Sequence, residues 1–155
     1  MNTAFLLVGS NIDPVQNTQK AITLLGERVQ IEKTSRTWEI PSFGSPGPNF
    51  INFAVQITTS LSSSELKDKV ISQIEESLKR VRSSDKNAPR TIDIDIILFN
   101  GELFDPNIWS RPYSILPMAD LAPDLIHPDS GLRLHEIAQE IERSGMVKLY
   151  IDHFR

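Results

Sequence analysis

The run Thr91-Ile92-Asp93-Ile94-Asp95-Ile96-Ile97 sets two carboxylates two residues apart inside an otherwise apolar stretch. Successive side chains on a β-strand point to opposite faces, so Asp93 and Asp95 share one face while Ile92, Ile94 and Ile96 share the other. Two residues of strand rise hold the two α-carbons roughly 6–7 Å apart. Like charges this close raise a carboxyl pKa unless a cation stands between them. Magnesium, which takes carboxylate and phosphate oxygens together, is the cation that suits the pair. The plainer alternative is that both face water from the open side of an antiparallel sheet. Just upstream, Lys79, Arg80, Arg82, Lys86 and Arg90 place five of the chain's sixteen basic residues within twelve positions. Arginines that fork onto phosphate oxygens, beside carboxylates that hold Mg²⁺, are what phosphoryl-type transfer requires. A solvated loop in which Arg80 and Arg82 complement a helix end is the competing reading.

These residues need a scaffold. Ala4 to Val8 reads as a strand that stops at a Gly9-Ser10-Asn11 turn. Asp13-Pro14 looks like an N-cap with proline at the first helical position, and Val15, Ile22, Leu25 and Val29 predict a helix over 14–27. Residues 30–38 are β-compatible, 40–48 form a Pro- and Gly-rich loop, and Phe50 to Thr58 is a strand. Ser62 to Glu65 has capping-box spacing, and Leu66, Val70, Ile74 and Leu78 predict a helix over 63–80. The strand from Thr91 to Asn100 leads through an Asn100-Gly101 hairpin into a short strand around Glu102 to Phe104. The Pro-rich stretch 105–131 reads as irregular, with one helical turn at Met118 to Leu121. A helix near 132–144 and a strand near Val147 to Ile151 follow. The order βαββαβ predicts one α+β domain over 1–155, a ferredoxin-like sandwich whose antiparallel sheet carries helices on one face, plus C-terminal additions.

Sixteen Lys and Arg against twenty Asp and Glu give a net charge of −4, which argues against a general nucleic-acid binder. An RNA-binding module on the same topology would want aromatics and basic charge where Asp93 and Asp95 stand. With no cysteine there is no disulfide, thiolate metal site or cysteine nucleophile. His127, His135 and His153 lack metal-motif spacing and read as surface or capping residues. No apolar run reaches the ~20 residues that span a bilayer. The opening Met1-Asn2-Thr3-Ala4-Phe5 lacks a signal-peptide pattern, so a cytoplasmic protein is expected.

The segment Lys86-Asn87-Ala88-Pro89-Arg90-Thr91-Ile92-Asp93-Ile94-Asp95-Ile96-Ile97 resembles the signature of the 6-hydroxymethyl-7,8-dihydropterin pyrophosphokinase family. Further resemblance lies in the opening strand with Gly9-Ser10-Asn11, in Pro41 to Asn52, and in Leu121 to Pro128. The resemblance implies a ferredoxin-like fold and transfer of pyrophosphate from ATP to the pterin hydroxymethyl group, with AMP released. It implies two Mg²⁺ ions held by Asp93 and Asp95, and triphosphate gripped by Arg80 and Arg90. Arg82 and Lys86 match basic positions of a loop that closes over ATP, and Glu75, Ile96 and Arg111 match nucleotide-side positions. Asn52 matches the amide that reads the pterin edge. Phe50 and Tyr113 match aromatics near its ring, and Ile40, Pro41 and Phe43 match the pocket wall. The partners implied are these small molecules alone, with no nucleic acid and no membrane, and the chain is expected to be a monomer. A relative that binds pterin or nucleotide without efficient turnover is the alternative. The stretch from Phe104 to Tyr113 is shorter than the family's and lacks its Pro-His pair, which implies weaker ATP binding with Arg111 in partial compensation.

Overall fold

The structure, a computed structural model, describes residues 1–41, 48–80, 91–145 and 148–150. Phe43, Arg82, Lys86, Arg90 and His153 lie outside the described residues. In chain order the elements are β1 (Asn2–Ser10), α1 (Pro14–Gly26), β2 (Gln30–Thr34), β3 (Thr37–Ile40), β4 (Phe50–Thr59), α2 (63–77) and β5 (Asp93–Phe99). They continue with β6 (Glu102–Leu103), a 3₁₀ turn (Pro106–Ser110), α3 (Pro112–Leu121), α4 (Leu134–Ser144) and β7 (Lys148–Tyr150).

The described strands make one antiparallel sheet in the order β6-β5-β1-β4-β3-β7, with β2 paired to β4 beside β3. The predicted strand over 30–38 is interrupted at Ser35 and Arg36. Ser35 keeps the ladder closed there, since its N–H donates to the Ala54 carbonyl at 2.8 Å and its hydroxyl accepts from the Ala54 N–H at 2.7 Å. Counting β2 and β3 as one broken strand, the core order β5-β1-β4-β3 with α1 and α2 as crossovers is the ferredoxin-like arrangement expected.

Helices cover both faces of the sheet, rather than the one face expected. On the first face Leu6, Val8, Phe53, Val55, Ile57 and Ile94 pack with Leu25 of α1 and Leu66, Val70 and Ile74 of α2. On the second, Leu7, Trp38, Ile40, Ala54 and Ile97 pack with Ile115, Leu116 and Met118 of α3 and Leu134 and Ala138 of α4. The C-terminal additions therefore build a second core. A bulge in β5 feeds it: Leu6 pairs with Ile96 and Phe5 with Leu98, so Ile97 is extra and turns inward with Leu98.

Local chemistry explains most elements. Ser62 and Glu65 form the reciprocal capping box, each side chain meeting the other's backbone N–H at 3.2 Å. In α2, Leu66–Ile71 form a π-helical stretch between α-helical ends. A strict four-residue apolar repeat overshoots a 3.6-residue turn, and the wider turn takes up the excess, so Leu66, Val70, Ile74 and Leu78 all stay buried. Asn100 (φ 50) and Gly101 (φ 82) are both left-handed, as a two-residue hairpin turn demands. His127 caps a turn, its Nδ1 accepting from the Asp129 and Ser130 N–H groups.

Three expectations are corrected. Gly9 and Ser10 belong to β1, with Gly9 paired to both β4 and β5, so the turn begins only at Asn11. Asp13 precedes Pro14 as expected but is left-handed (φ 41) and makes no side-chain cap bond. The single turn expected at Met118 to Leu121 is the end of the ten-residue α3, which starts on Pro112 and contains Pro117. Burial of Ser114, Ile115, Leu116, Met118 and Ala119 outweighs the hydrogen bond that Pro117 cannot donate.

Candidate active site

β5 leaves β1 with Asp93 opposite Gly9 and Asp95 opposite Leu7. Leu7 belongs to the second face, so both carboxylates lie on that face, as the alternation predicts. α3 lies over β1, β3 and β4, which leaves the β5 carboxylates beside the helix instead of under it. The row that crosses the sheet at this level reads Trp38 on β3, Asn52 on β4, Gly9 on β1 and Asp93 on β5.

Behind the carboxylates stands an ion-paired arginine. Just past the end of α2 stands Lys79, a left-handed residue (φ 60) whose N–H meets the Glu76 carbonyl while the Arg80 N–H meets the Glu75 carbonyl, each at 3.0 Å. This Schellman closure turns Arg80 back across the helix end. Its Nη1 donates to Glu75 Oε2 at 2.5 Å and lies 3.2 Å from Asp93 Oδ1. Glu75, 4% exposed, also accepts the Ile94 N–H at 3.2 Å. β6 pairs only with Leu98 and Phe99, so Glu75 satisfies part of the β5 edge that β6 leaves uncovered. One carboxylate thus ties α2, β5 and Arg80 together.

Desolvation by the surrounding protein, then the charges of Asp93, Glu75 and Asp105, push the Asp95 carboxyl up to about 7, against a smaller pull from Arg80. Asp95 remains open to solvent on this face, with the Asp93 carboxylate as its nearest neighbour along the strand. A divalent cation would relieve that repulsion. Among the described residues no cluster of three or more His, Cys, Asp or Glu side chains surrounds a metal position. The protein therefore offers two carboxylates, which fits Mg²⁺ completed by phosphate oxygens and water.

The other predicted positions divide. Ile40 is buried, pairs with Phe50 across β3 and β4, and precedes the exposed Pro41. Asn52 is 5% exposed on the carboxylate face. Tyr113, half-buried at the start of α3, has its hydroxyl pKa raised by desolvation first and then by Asp105, Asp93 and Asp95, which brings it into the same electrostatic neighbourhood. Arg111 pairs with Asp105 at 3.3 Å and sits 5.9 Å from the Tyr113 ring centre. Ile96 is not brought together with them, since its side chain packs on the first core. Sequence reasoning missed Asp105. Asp105 had a local signal, Asp before Pro106, and it caps the 3₁₀ turn through the Asn107 N–H at 3.0 Å.

An antiparallel α+β sandwich that sets paired carboxylates beside a half-buried, ion-paired arginine is built as a phosphate-transferring enzyme. The family model for 7,8-dihydro-6-hydroxymethylpterin-pyrophosphokinase matches residues 5–123, and the chain belongs to that family. It is 35% identical over 150 residues to the 2-amino-4-hydroxy-6-hydroxymethyldihydropteridine pyrophosphokinase of Aquifex aeolicus, covering 90% of this chain and 92% of that one. It is 33% identical to a folic acid synthesis protein of Dictyostelium discoideum over 94% of this chain, but spans only 23% of that protein. A crystal structure of HPPK-DHPS from Plasmodium falciparum superposes with a TM-score of 0.70 at 14% identity, covering 96% of this chain and 44% of that one, and so shares the fold.

Proposed function

We propose that this chain transfers the pyrophosphoryl group of ATP to the hydroxymethyl group of 6-hydroxymethyl-7,8-dihydropterin, releasing AMP, in folate biosynthesis. The observation that carries the proposal is the row Asn52, Gly9, Asp93 across three adjacent strands, with Asp95 on the same face of β5. At about 4.8 Å per strand, the amide and the carboxylate arise about 10 Å apart. A flat heterocycle read at one edge by Asn52 then offers its other edge to Asp93 and Asp95. Phe50 and Tyr113 supply aromatic surface for its faces, and Ile40, Pro41 and Phe43 the wall.

Asp93 and Asp95 would hold Mg²⁺, two ions by resemblance, which when bound neutralises phosphate oxygens and stabilises the charge moving onto the leaving phosphate. Arg80 keeps a fixed positive charge at the edge of the carboxylate pair, oriented by Glu75 before substrate arrives. Arg82, Lys86 and Arg90 add the charge that grips the triphosphate, and Arg111 contributes beside Tyr113. Glu75 then serves the nucleotide through Arg80 rather than by direct contact. Every residue in this scheme comes from one chain, so a monomer suffices, and dependence on ATP fits a cytoplasmic reaction.

The test is AMP release from ATP and Mg²⁺ that depends on the pterin. Asp93→Asn and Asp95→Asn should each remove most of it while leaving the chain folded. A double variant that turns over like the native chain would overturn the carboxylate assignment.

A further inference from the structure

Gly9 lies in ordinary extended backbone inside β1, where nothing about its φ requires glycine. What it supplies is room. A Cβ built on Gly9 would stand 2.0 Å from Asn52 Oδ1, a distance real Cβ atoms essentially never show, and 3.2 Å from Asn52 Cγ, so the Asn52 side chain would have to shift. The clash holds whichever end of the amide is called oxygen. The Asn52 amide thus lies directly over the β1 backbone, on the floor between β4 and β5, and Asp93 borders that floor on the far side. Among the described residues no hydrogen bond fixes this side chain, so the space above Gly9 and the packing of β4 set its direction.

We infer that Gly9 is a positioning and specificity-determining residue: by lacking a side chain it lets Asn52 reach across β1 and leaves a flat floor between amide and carboxylate for a planar heterocycle. This rests on the reading of Asn52 as the amide that recognises the pterin. A methyl group here displaces the amide and raises the floor, so it should act on the heterocycle and leave the nucleotide alone.

The test uses Gly9→Ala, Asn52→Ala and the double variant of the full chain, titrated calorimetrically with 6-hydroxymethylpterin and separately with a non-hydrolysable ATP analogue. Gly9→Ala should weaken pterin binding about ten- to a hundredfold, close to Asn52→Ala, because both forfeit the same polar contacts. The double variant should bind no more weakly than either single one, since the second change has nothing left to remove. ATP-analogue affinity should stay within about twofold in all three. If Gly9→Ala lowers the melting temperature, Asn52→Ala in the same chain should restore much of it by removing the clash. Pterin affinity unchanged in Gly9→Ala, or losses that add fully in the double variant, would overturn the inference. A ligand-free readout separates this from the functional reading: the Asn52 side-chain NH₂ resonance in ¹⁵N spectra should shift in Gly9→Ala. An unmoved resonance overturns the positioning role. A shifted resonance in a chain whose native form binds no pterin supports the positioning role and overturns the assignment of pterin as the ligand.

Discussion

Replacing Glu75 by alanine tests the strut that holds the site. Its carboxylate is nearly inaccessible, at 6% side-chain exposure, and its Arg80 partner is at 12%. The change leaves the Ile94 N–H without its acceptor, which costs about 1–3 kcal/mol for a buried donor. It also strands a largely desolvated guanidinium, and breaking such a pair from one side costs at most about 3–5 kcal/mol. The two figures overlap, because both count the same lost carboxylate, and Asp93 still faces Arg80 at 3.2 Å. A net loss of about 3–4 kcal/mol follows. For a chain of 155 residues that lowers the melting temperature by about 6–16 °C. Urea titration of Glu75→Ala, Arg80→Ala and the double variant at pH 7 provides the assay. Arg80→Ala should cost less than Glu75→Ala, since Glu75 keeps the Ile94 N–H, and the double variant should cost less than the sum by about 1.5–3 kcal/mol. If Glu75→Ala melts within about 2 °C of the native chain, or the two losses simply add, the strut reasoning fails.

Asp95, with its folded pKa near 7 against an ordinary 3.8, makes the metal-free protein lose stability as pH rises. The folded state holds more protons than the unfolded one between about pH 4 and pH 7, so the contribution is full below pH 4 and gone above 7. Solvent access to Asp95 scales the effect down to about 1–2 kcal/mol. Asp95→Asn should flatten that slope in melts run with chelator, and an unchanged slope would refute it. Lys79→Gly should raise stability by about 1 kcal/mol, because the left-handed closing position of α2 strains any residue with a Cβ; a lower denaturation midpoint would contradict this. Arg111→Ala should weaken binding of an ATP analogue about ten- to a hundredfold and leave pterin binding alone. Equal nucleotide affinity in that variant would remove Arg111 from the nucleotide side.

What could be read in advance followed from short-range rules. The two-residue period placed Asp93 and Asp95 on one face, the apolar repeat and Ser62–Glu65 box placed α2, and Asn100-Gly101 placed the hairpin. Features that depend on distant partners were not legible. α3 survives Pro117 because two layers bury it, which no local propensity encodes. The Glu75–Arg80 bond needs a left-handed Lys79, a conformation that residue seldom adopts. Gly9 looked like a turn glycine because its true reason, the Asn52 amide above it, comes from a strand more than forty positions later. Of the basic cluster ahead of β5, Lys79 and Arg80 lie among the described residues, and Arg80 pairs there with Glu75 and Asp93.

Pyrophosphoryl transfer moves two phosphates at once, and ³¹P resonance separates it from any simpler kinase reaction. With ATP, Mg²⁺ and 6-hydroxymethyl-7,8-dihydropterin, the account predicts AMP together with a new diphosphate ester on the pterin, formed in equal amounts and absent without the pterin. ADP with a monophosphate ester, or nucleotide breakdown indifferent to the pterin, would contradict it.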